Sequence, residues 1–154
     1  MLIRTHLAIT LCLTLFFIPF VRYPILFLLV ALLATYIPDI DSKKSRIGNH
    51  WYLRPFQWIA RHRGFVHSFS FLLLLSLIFV FFIPFLALPF FLGYSSHLIA
   101  DSFTLRGIRP FFPLRCVSKG NITTGGVNEF NVFVFFILVD VILFVTNFYS
   151  FFNM

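Results

Sequence analysis

Histidine and aspartate side chains recur in three short stretches of this otherwise apolar chain. The stretches are "IPDID", "RHRGFVHS" and "SSHLIAD", which hold Asp39 with Asp41, His62 with His67, and His97 with Asp101. Residues four apart on a helix share one face, so His97 and Asp101 can reach the same ion. Imidazole nitrogens mixed with carboxylates suit Zn²⁺, Mn²⁺ or Fe²⁺ better than Ca²⁺. The three stretches therefore predict a divalent metal site.

The predicted ligand set has seven members, because a further histidine stands near the start of the first apolar segment. The set is His6, Asp39, Asp41, His62, His67, His97 and Asp101. One catalytic zinc ion needs about three protein ligands and a water molecule. Seven candidates are therefore enough for one or two ions, and two ions a few ångströms apart would use them most fully. We expect Zn²⁺, with Mn²⁺ and Fe²⁺ as the alternatives.

The composition predicts that these residues are embedded in a membrane protein. Of the 154 residues, 60% are hydrophobic, 25 are phenylalanine and only 11% are charged. A soluble domain has about 25% charged residues. One small core cannot bury so many apolar side chains, so lipid must solvate the rest. We expect an integral membrane protein with a single domain, residues 1–154, in which Cys12 and Cys116 are free thiols.

Five apolar segments could position the polar residues. They cover about 7–20, 23–38, 69–84, 86–103 and 130–152. Only the fifth reaches the roughly 20 residues that cross a bilayer comfortably, so the other segments predict short transmembrane helices. Strand edges in lipid would leave backbone groups without hydrogen bonds, which favours helices. The predicted fold is therefore an all-α bundle of about five short transmembrane helices.

Five spans give the chain two sides, and the basic residues fall almost entirely on one of them. Arg22 is on one side, and the eleven others share the side that holds the N-terminus, namely Arg4, Lys43, Lys44, Arg46, Arg54, Arg61, Arg63, Arg106, Arg109, Arg115 and Lys119. The positive-inside rule places that side in the cytoplasm. We therefore expect an inner (cell) membrane protein with a cytoplasmic N-terminus, an external C-terminus and a polar site at the cytoplasmic face. Because topology explains the charge, no nucleic-acid partner is expected.

Three stretches, "PDID", "HRGFVHS" and "GYSSHLIADSFT", carry a resemblance to a known family. The chain resembles the YdjM-like family of LexA-regulated, inner-membrane-associated, metal-dependent hydrolases over residues 1 to about 115. The resemblance matches His6, Asp39, Asp41, His62, Arg63, Gly64, His67, Ser68, Ser96, His97, Asp101, Thr104 and Gly107. The sequence departs from the family pattern at Val66, where threonine is usual. The resemblance implies a metal-dependent hydrolase.

The residues themselves favour metal-assisted hydrolysis through an activated water. Asp39 or Asp41 would take up the proton, and Arg63, with Arg61 beside it, would stabilise the developing oxyanion. His67 completes the set expected to carry catalysis. We expect Ser68 and Ser96 to orient the histidines. A site at headgroup level predicts membrane lipids as partners, with a lipid phosphoester or ester as substrate.

Other interpretations of the same residues stay open at this stage. The cluster suits a metal-ion or proton transporter, because intramembrane histidine and aspartate mark ion pathways. A bound metal that only holds the helices together is a third interpretation. Glu129 is a secondary candidate for a general base. Asp140, near the middle of the fifth segment, is expected to be a neutral acid hydrogen-bonded to a serine or threonine of a neighbouring helix. The oligomeric state is not predicted.

Overall fold

The computed structural model describes residues 1–41 and 65–152. Within these residues the chain forms five α-helices and no strand. The helices are α1 (Ile3–Phe17), α2 (Pro24–Tyr36), α3 (Phe69–Phe82), α4 (Pro84–Ser102) and α5 (Val127–Phe152). Two 3₁₀ helices, Ile18–Phe20 and Ile37–Asp41, extend α1 and α2. The all-α prediction is confirmed for this part of the chain.

Proline and serine residues set several helix ends. Pro24 and Pro84 begin α2 and α4, where a missing backbone N–H costs no helical hydrogen bond. The hydroxyl of Ser68 caps α3 by accepting a hydrogen bond of 3.2 Å from the backbone N–H of Phe71. Only Ile83 separates α3 from α4. These signals lie close to the segment ends expected from the sequence.

Helix α4 lies at the centre of the bundle and contacts α1, α2 and α3, while α5 packs on α1. The contact of α4 with α2 is close because Gly93 has no side chain. A Cβ atom on Gly93 would lie 2.0 Å from the backbone carbonyl oxygen of Ala31. The buried apolar cluster beside this contact consists of Ala34, Val66, Leu72, Phe90, Tyr94, Leu98 and Ile108. Helix α4 therefore positions α1, α2 and α3.

The loop between α4 and α5 folds over one end of the bundle. Thr104 donates a hydrogen bond of 2.7 Å to the carbonyl oxygen of Asp101, at the last turn of α4. The chain then turns at Gly107, whose φ of +62° favours glycine. The carbonyl oxygen of Pro110 accepts a hydrogen bond of 2.7 Å from the N–H of Phe69, the first residue of α3. The loop thus ties the end of α4 to the start of α3.

Two of the helices are long and apolar enough to cross a bilayer. These spans are Ile3–Phe20 and Val127–Ser150. Two more, Pro24–Ile40 and Phe69–Phe82, are apolar but shorter. Of the five predicted transmembrane helices, two are thus long and apolar enough to span a bilayer and two are apolar but shorter, and α5 is the longest helix described.

Candidate metal centre

His97 is the residue around which the candidate site is built. Its ring is completely buried in α4, and its Nδ1 atom lies 2.8 Å from the backbone carbonyl oxygen of Thr35 in α2. A carbonyl oxygen only accepts, so Nδ1 carries the ring proton and Nε2 keeps its lone pair. Nε2 is buried and makes no hydrogen bond within the described residues. A buried imidazole held in this way is typical of a metal ligand.

His6 of α1 and Asp101 of α4 form one group with His97. The rings of His6 and His97 are stacked, with centroids 3.9 Å apart. Asp101 lies beside both rings, with Oδ1 3.3 Å from Nε2 of His6 and Oδ2 4.0 Å from Nε2 of His97. Its carboxylate also contacts the amino group of Met1. One donor atom from each of the three residues lies within 4.8 Å of the other two.

Asp39 and His67 form a second group that also includes His97. The donor atoms of this group again lie within 4.8 Å of one another. Oδ1 of Asp39 is 3.9 Å from Nε2 of His97, and the His67 ring meets the His97 ring nearly at right angles. His67 is completely buried, whereas 26% of the Asp39 side chain is exposed. Asp39 therefore forms the open edge of the cluster.

The donor set fits a transition-metal ion. The two groups share His97 and together offer three imidazoles and two carboxylates, a mixture that suits Zn²⁺, Mn²⁺ or Fe²⁺. Nε2 of His97 has one lone pair and can bind one ion only, yet both groups include it. The buried Nδ1 of His6 likewise makes no hydrogen bond in the part of the chain that the structure describes. The two groups therefore cannot each hold a separate ion through Nε2 of His97.

A network of buried hydroxyl groups lies directly behind the histidines. Thr10 of α1 is 2.8 Å from the Thr35 hydroxyl and 2.7 Å from the Ser96 hydroxyl. Thr35 donates to the carbonyl oxygen of Ala31, and Ser96 donates to that of Gly93. Ser96 therefore connects helices, which differs from the predicted role of orienting a histidine. The network holds α1, α2 and α4 together at the level of the cluster.

The turn that carries His67 is positioned by a tyrosine on α4. The hydroxyl of Tyr94 donates a hydrogen bond of 2.6 Å to the carbonyl oxygen of Val66. The Val66 side chain is buried in the apolar cluster, so at this position a methyl group packs where the family pattern has a hydroxyl. Ser68 caps α3 immediately after His67, and its hydroxyl donates to the carbonyl oxygen of Phe65. Tyr94 and Ser68 thus fix His67 from both sides.

Several predicted site residues lie wholly or partly outside the part of the chain that the structure describes. Asp41 ends a 3₁₀ helix, and its side chain lies outside what is described. His62, Arg63, Arg61 and Gly64 lie outside the described residues altogether. The predicted roles of His62 as a ligand and of Arg63 and Arg61 as stabilising cations stay predictions. His6, Asp39, His67, His97 and Asp101 are the predicted ligands that the fold brings together.

Two other acids lie outside the cluster. Glu129, at the start of α5, is buried and accepts hydrogen bonds from the Thr5 hydroxyl at 2.9 Å and the Gly125 N–H at 2.6 Å. It therefore links α1 to α5, and its predicted role as a general base stays a prediction. Asp140 is 4% exposed, and neither carboxyl oxygen makes a hydrogen bond within the described residues. The predicted serine or threonine partner of Asp140 is therefore wrong for this part of the chain.

Sequence reasoning missed the residues that support the ligands. The Thr35 carbonyl, Thr10, Tyr94 and Thr5 all act through hydrogen bonds between helices. One signal was available, because Thr10 follows His6 by four residues and Thr35 precedes Asp39 by four. Each threonine therefore lies one helical turn from a predicted ligand, facing the same way.

Comparison with known proteins identifies relatives of this chain. The family described as "YdjM inner membrane protein" matches residues 1–153. Inner membrane protein YdjM of Escherichia coli (strain K12) is 37% identical over 94 residues, which cover 55% of this chain and 48% of that protein. The Shigella flexneri protein of the same name gives the same figures. Uncharacterized protein YvsG of Bacillus subtilis (strain 168) is 32% identical over 94 residues, covering 58% of this chain and 59% of YvsG.

The chain therefore spans about half the length of the curated relatives that it matches. No solved structure matches it. The comparisons name a membrane location for the two YdjM proteins and leave the chemistry of the cluster to be argued from its geometry.

Proposed function

Because the chain belongs to the YdjM family of inner membrane proteins, we propose that it is an integral membrane hydrolase with one divalent metal ion held by its histidine and aspartate cluster. The site lies at the cytoplasmic headgroup level, and the substrate is a lipid phosphoester or ester. The ion is Zn²⁺ in the first instance, since the donor set is rich in imidazole. A second ion would need donors from Asp41 and His62.

Exposed apolar surface supports placement in the bilayer. Helix α5 presents Phe135, Leu138, Ile142 and Phe144 with 60–61% of each side chain exposed. A soluble protein rarely leaves so large an apolar face in water. The same face is stable against lipid, where α5 and Ile3–Phe20 are long enough to span.

Charge supports the orientation of the bundle. The cluster lies where α1 begins, α2 ends, α3 begins and α4 ends, so all five donors share one end of the bundle. The loop after α4 lies at that end and exposes four basic residues, Arg106, Arg109, Arg115 and Lys119. Arg22 lies at the opposite end, between α1 and α2. The excess of positive charge beside the cluster favours a cytoplasmic location for the site and the N-terminus.

The observation that carries the proposal is the gathering of five metal-binding side chains from four elements at His97, where Nε2 of His97 and Nδ1 of His6 are buried and make no hydrogen bond within the described residues. Burying these two nitrogen atoms without hydrogen-bond partners costs free energy, and a cation bound to one of them would remove its share of that cost. A bound divalent ion would supply Lewis acidity and an activated water at neutral pH. His6, His67, His97 and Asp101 would hold the ion, because they are the most deeply buried donors.

Asp39 has a different role, because it is the donor at the open edge of the cluster. A carboxylate at that edge can meet both the ion and an entering substrate, so we assign it the uptake of the proton from the attacking water. The substrate would approach past the exposed basic loop after α4. Arginine and lysine there attract anionic headgroups, each by about 1 kcal/mol near an anionic membrane surface. This preference points to a phosphorylated or otherwise anionic lipid.

A metal-ion or proton transporter is the second candidate, and the hydroxyl network behind the cluster is the observation that favours it. Thr10, Thr35 and Ser96 extend polar groups from the cluster into the bundle. However, α1, α2 and α4 carry no acid or histidine between this network and their far ends. A chain of titratable groups is what an ion pathway requires. We therefore rank hydrolysis first.

A chelator-controlled assay tests the proposed activity. Purified protein in phosphatidylcholine nanodiscs would be offered phosphatidic acid, a prenyl phosphate and a diacylglycerol, before and after metal removal. We expect cleavage of a phosphorylated lipid that stops on chelation, returns with Zn²⁺ and falls about 100-fold or more in Asp39→Asn. Asn131→Asp makes the reverse exchange at an exposed position of α5 and serves as the matched control.

Two outcomes would contradict the hydrolase proposal. One is the absence of cleavage of every lipid by protein that carries its full metal content. The other is zinc uptake into sealed proteoliposomes that depends on His97, which would assign the cluster to transport.

A further inference from the structure

Arg22 stands apart from the other basic residues of the chain. Among those that the structure describes, it alone lies at the end of the bundle opposite the cluster, in the turn between α1 and α2. None of the five acids lies at that end, since α5 carries one near its midpoint and the other four are at the cluster end, namely Asp39, Asp41, Asp101 and Glu129. The exposed guanidinium group therefore has no acidic side chain nearby to neutralise it.

The guanidinium group of Arg22 lies against the ring of Tyr23. Its Cζ atom is 5.4 Å from the ring centroid, a distance at which a cation and an aromatic face attract each other. The pair is open to its surroundings, with 53% of Tyr23 exposed. A guanidinium fork and a phenol hydroxyl together offer several N–H and O–H donors, and this set suits the oxygen atoms of a phosphate group.

Two apolar grooves begin at this pair. Both are lined by Arg22, Tyr23 and Leu26, and each has a volume of about 440 Å³. One groove continues between α2 and the start of α4, as far as Leu88, and the other follows α2 to Leu29. Because α2 and α4 both begin at this end, each groove leads from the polar rim towards the middle of the bundle. A membrane lipid has the same order of parts, with a polar headgroup at the surface and hydrocarbon below it.

We propose that this site binds one anionic diacyl phospholipid, with its phosphate group on Arg22 and Tyr23 and one acyl chain in each groove. Charge complementarity selects an anionic headgroup, because the guanidinium group has no acidic partner at its end of the bundle. Two grooves that share one rim select a lipid with two chains. The inference rests on the membrane placement proposed above and is independent of the metal chemistry.

Photolabelling tests this site in the full chain. The protein would be placed in nanodiscs of phosphatidylcholine, whose headgroup has no net charge, with chelator present, and labelled with phosphatidylglycerol that carries a diazirine on its acyl chains. We expect saturable labelling of peptides covering 22–29 and 84–89, and unsaturable labelling of the exposed face of α5. Unlabelled phosphatidylglycerol should compete for the saturable sites. Diacylglycerol with the same chains, lysophosphatidylglycerol and inorganic phosphate should each compete about 10-fold more weakly or less.

Two variants and two matched controls complete the test. Arg22→Gln removes the charge, and Leu88→Trp fills one groove at a position that is 47% exposed. Each should lower the saturable labelling about 10-fold. Arg115→Gln, in the exposed loop at the other end of the bundle, and Leu33→Trp, at a position 66% exposed on α2 and outside both grooves, should leave it unchanged. Circular dichroism confirms that each variant is folded.

Several outcomes would overturn the proposal. Equal competition by diacylglycerol, or wild-type labelling of Arg22→Gln, would mean that the phosphate group is not recognised. Inorganic phosphate that competes as well as phosphatidylglycerol would mean that the grooves bind no acyl chain. Unsaturable labelling of 22–29 would assign this surface to ordinary bilayer lipid. A lack of label on α5 as well would contradict the membrane placement itself, whereas a loss confined to 22–29 and 84–89 would remove only this lipid site.

Discussion

The Nδ1 atom of His97 lies 2.8 Å from the backbone carbonyl oxygen of Thr35, across the contact between α4 and α2. This hydrogen bond joins the two helices and selects the tautomer of the histidine. The lone pair of Nε2 then faces the carboxylates of Asp39 and Asp101. One hydrogen bond to the backbone thus determines which atom of the central histidine is available to a ligand.

The tautomer of His97 is the first prediction. In metal-free protein labelled with ¹⁵N-histidine, the His97 ring should carry its proton on Nδ1. Its signals are identified as those that vanish in His97→Ala. Addition of Zn²⁺ should shift the Nε2 resonance and leave Nδ1 protonated. A proton on Nε2 in the metal-free protein would disagree with the hydrogen bond to Thr35.

Loss of the Thr10 hydroxyl should lower the stability of the helix bundle and leave the metal site able to bind. Thr10→Val keeps the shape of the side chain but removes its bonds to Thr35 and Ser96. Both partners keep a carbonyl acceptor, so we expect a loss of about 1–2 kcal/mol in the free energy of unfolding. Thr146→Val, whose exposed hydroxyl bonds within α5, is the matched control and should change stability by less than about 0.5 kcal/mol. Denaturant unfolding in detergent measures both, and equal effects would contradict the interhelical role.

A side chain at Gly93 should separate α2 from α4. In Gly93→Ala the new methyl group would lie 2.0 Å from the Ala31 carbonyl oxygen. Relieving this overlap would require the backbone of α2 or α4 to shift, which costs free energy. We expect a loss of about 1–3 kcal/mol. Metal affinity should also fall, because Asp39 follows α2 and His97 lies on α4.

Gly125→Ala is the comparison for that variant. It meets no atom within 4 Å but requires a φ of +78°, so its cost is local. It should lower stability by about 1–2 kcal/mol and leave metal affinity unchanged. If Gly93→Ala retained wild-type metal affinity, the close helix contact would not be what positions the donors.

Glu129 should prove structural. Its Oε1 accepts from the Leu2 N–H and the Thr5 hydroxyl, and its Oε2 accepts from the Gly125 N–H. Glu129→Gln turns one acceptor into a donor that faces N–H or O–H groups, at a cost of about 1–3 kcal/mol in the free energy of unfolding. Hydrolytic rate and metal content should stay within about twofold of wild type. A fall of about 100-fold in rate with full metal content would instead make Glu129 the general base.

The sequence predicted the helices well because their signals are local. The apolar runs and the prolines Pro24 and Pro84 are visible in the one-dimensional pattern, and they place the helix boundaries within a few residues of those in the structure. The Ser68 cap was not predicted, because Ser68 was expected to orient a histidine. The convergence of His6, His67 and His97 was also predictable, since helices that alternate in direction return to the same end.

The rest depends on contacts between helices, which no local pattern specifies. Predicting the hydrogen bond from His97 to the Thr35 carbonyl would require knowing the depth and rotation of both helices. Every residue has a backbone carbonyl oxygen, so the residue type does not reveal which one accepts. The predicted hydrogen-bond partner of Asp140 was wrong for the same reason. A hydrogen-bond partner was expected on general grounds, whereas the rotation of α5 places the carboxyl group beside an apolar cavity.

Elemental analysis of purified protein tests the metal site most directly. We expect about one zinc ion per chain in the wild type, and less than about a fifth of that in His97→Ala and in Asp101→Asn. Asn131→Asp should match the wild type. Metal content at the wild-type level in both cluster variants would mean that the buried histidines and carboxylates do not bind an ion together.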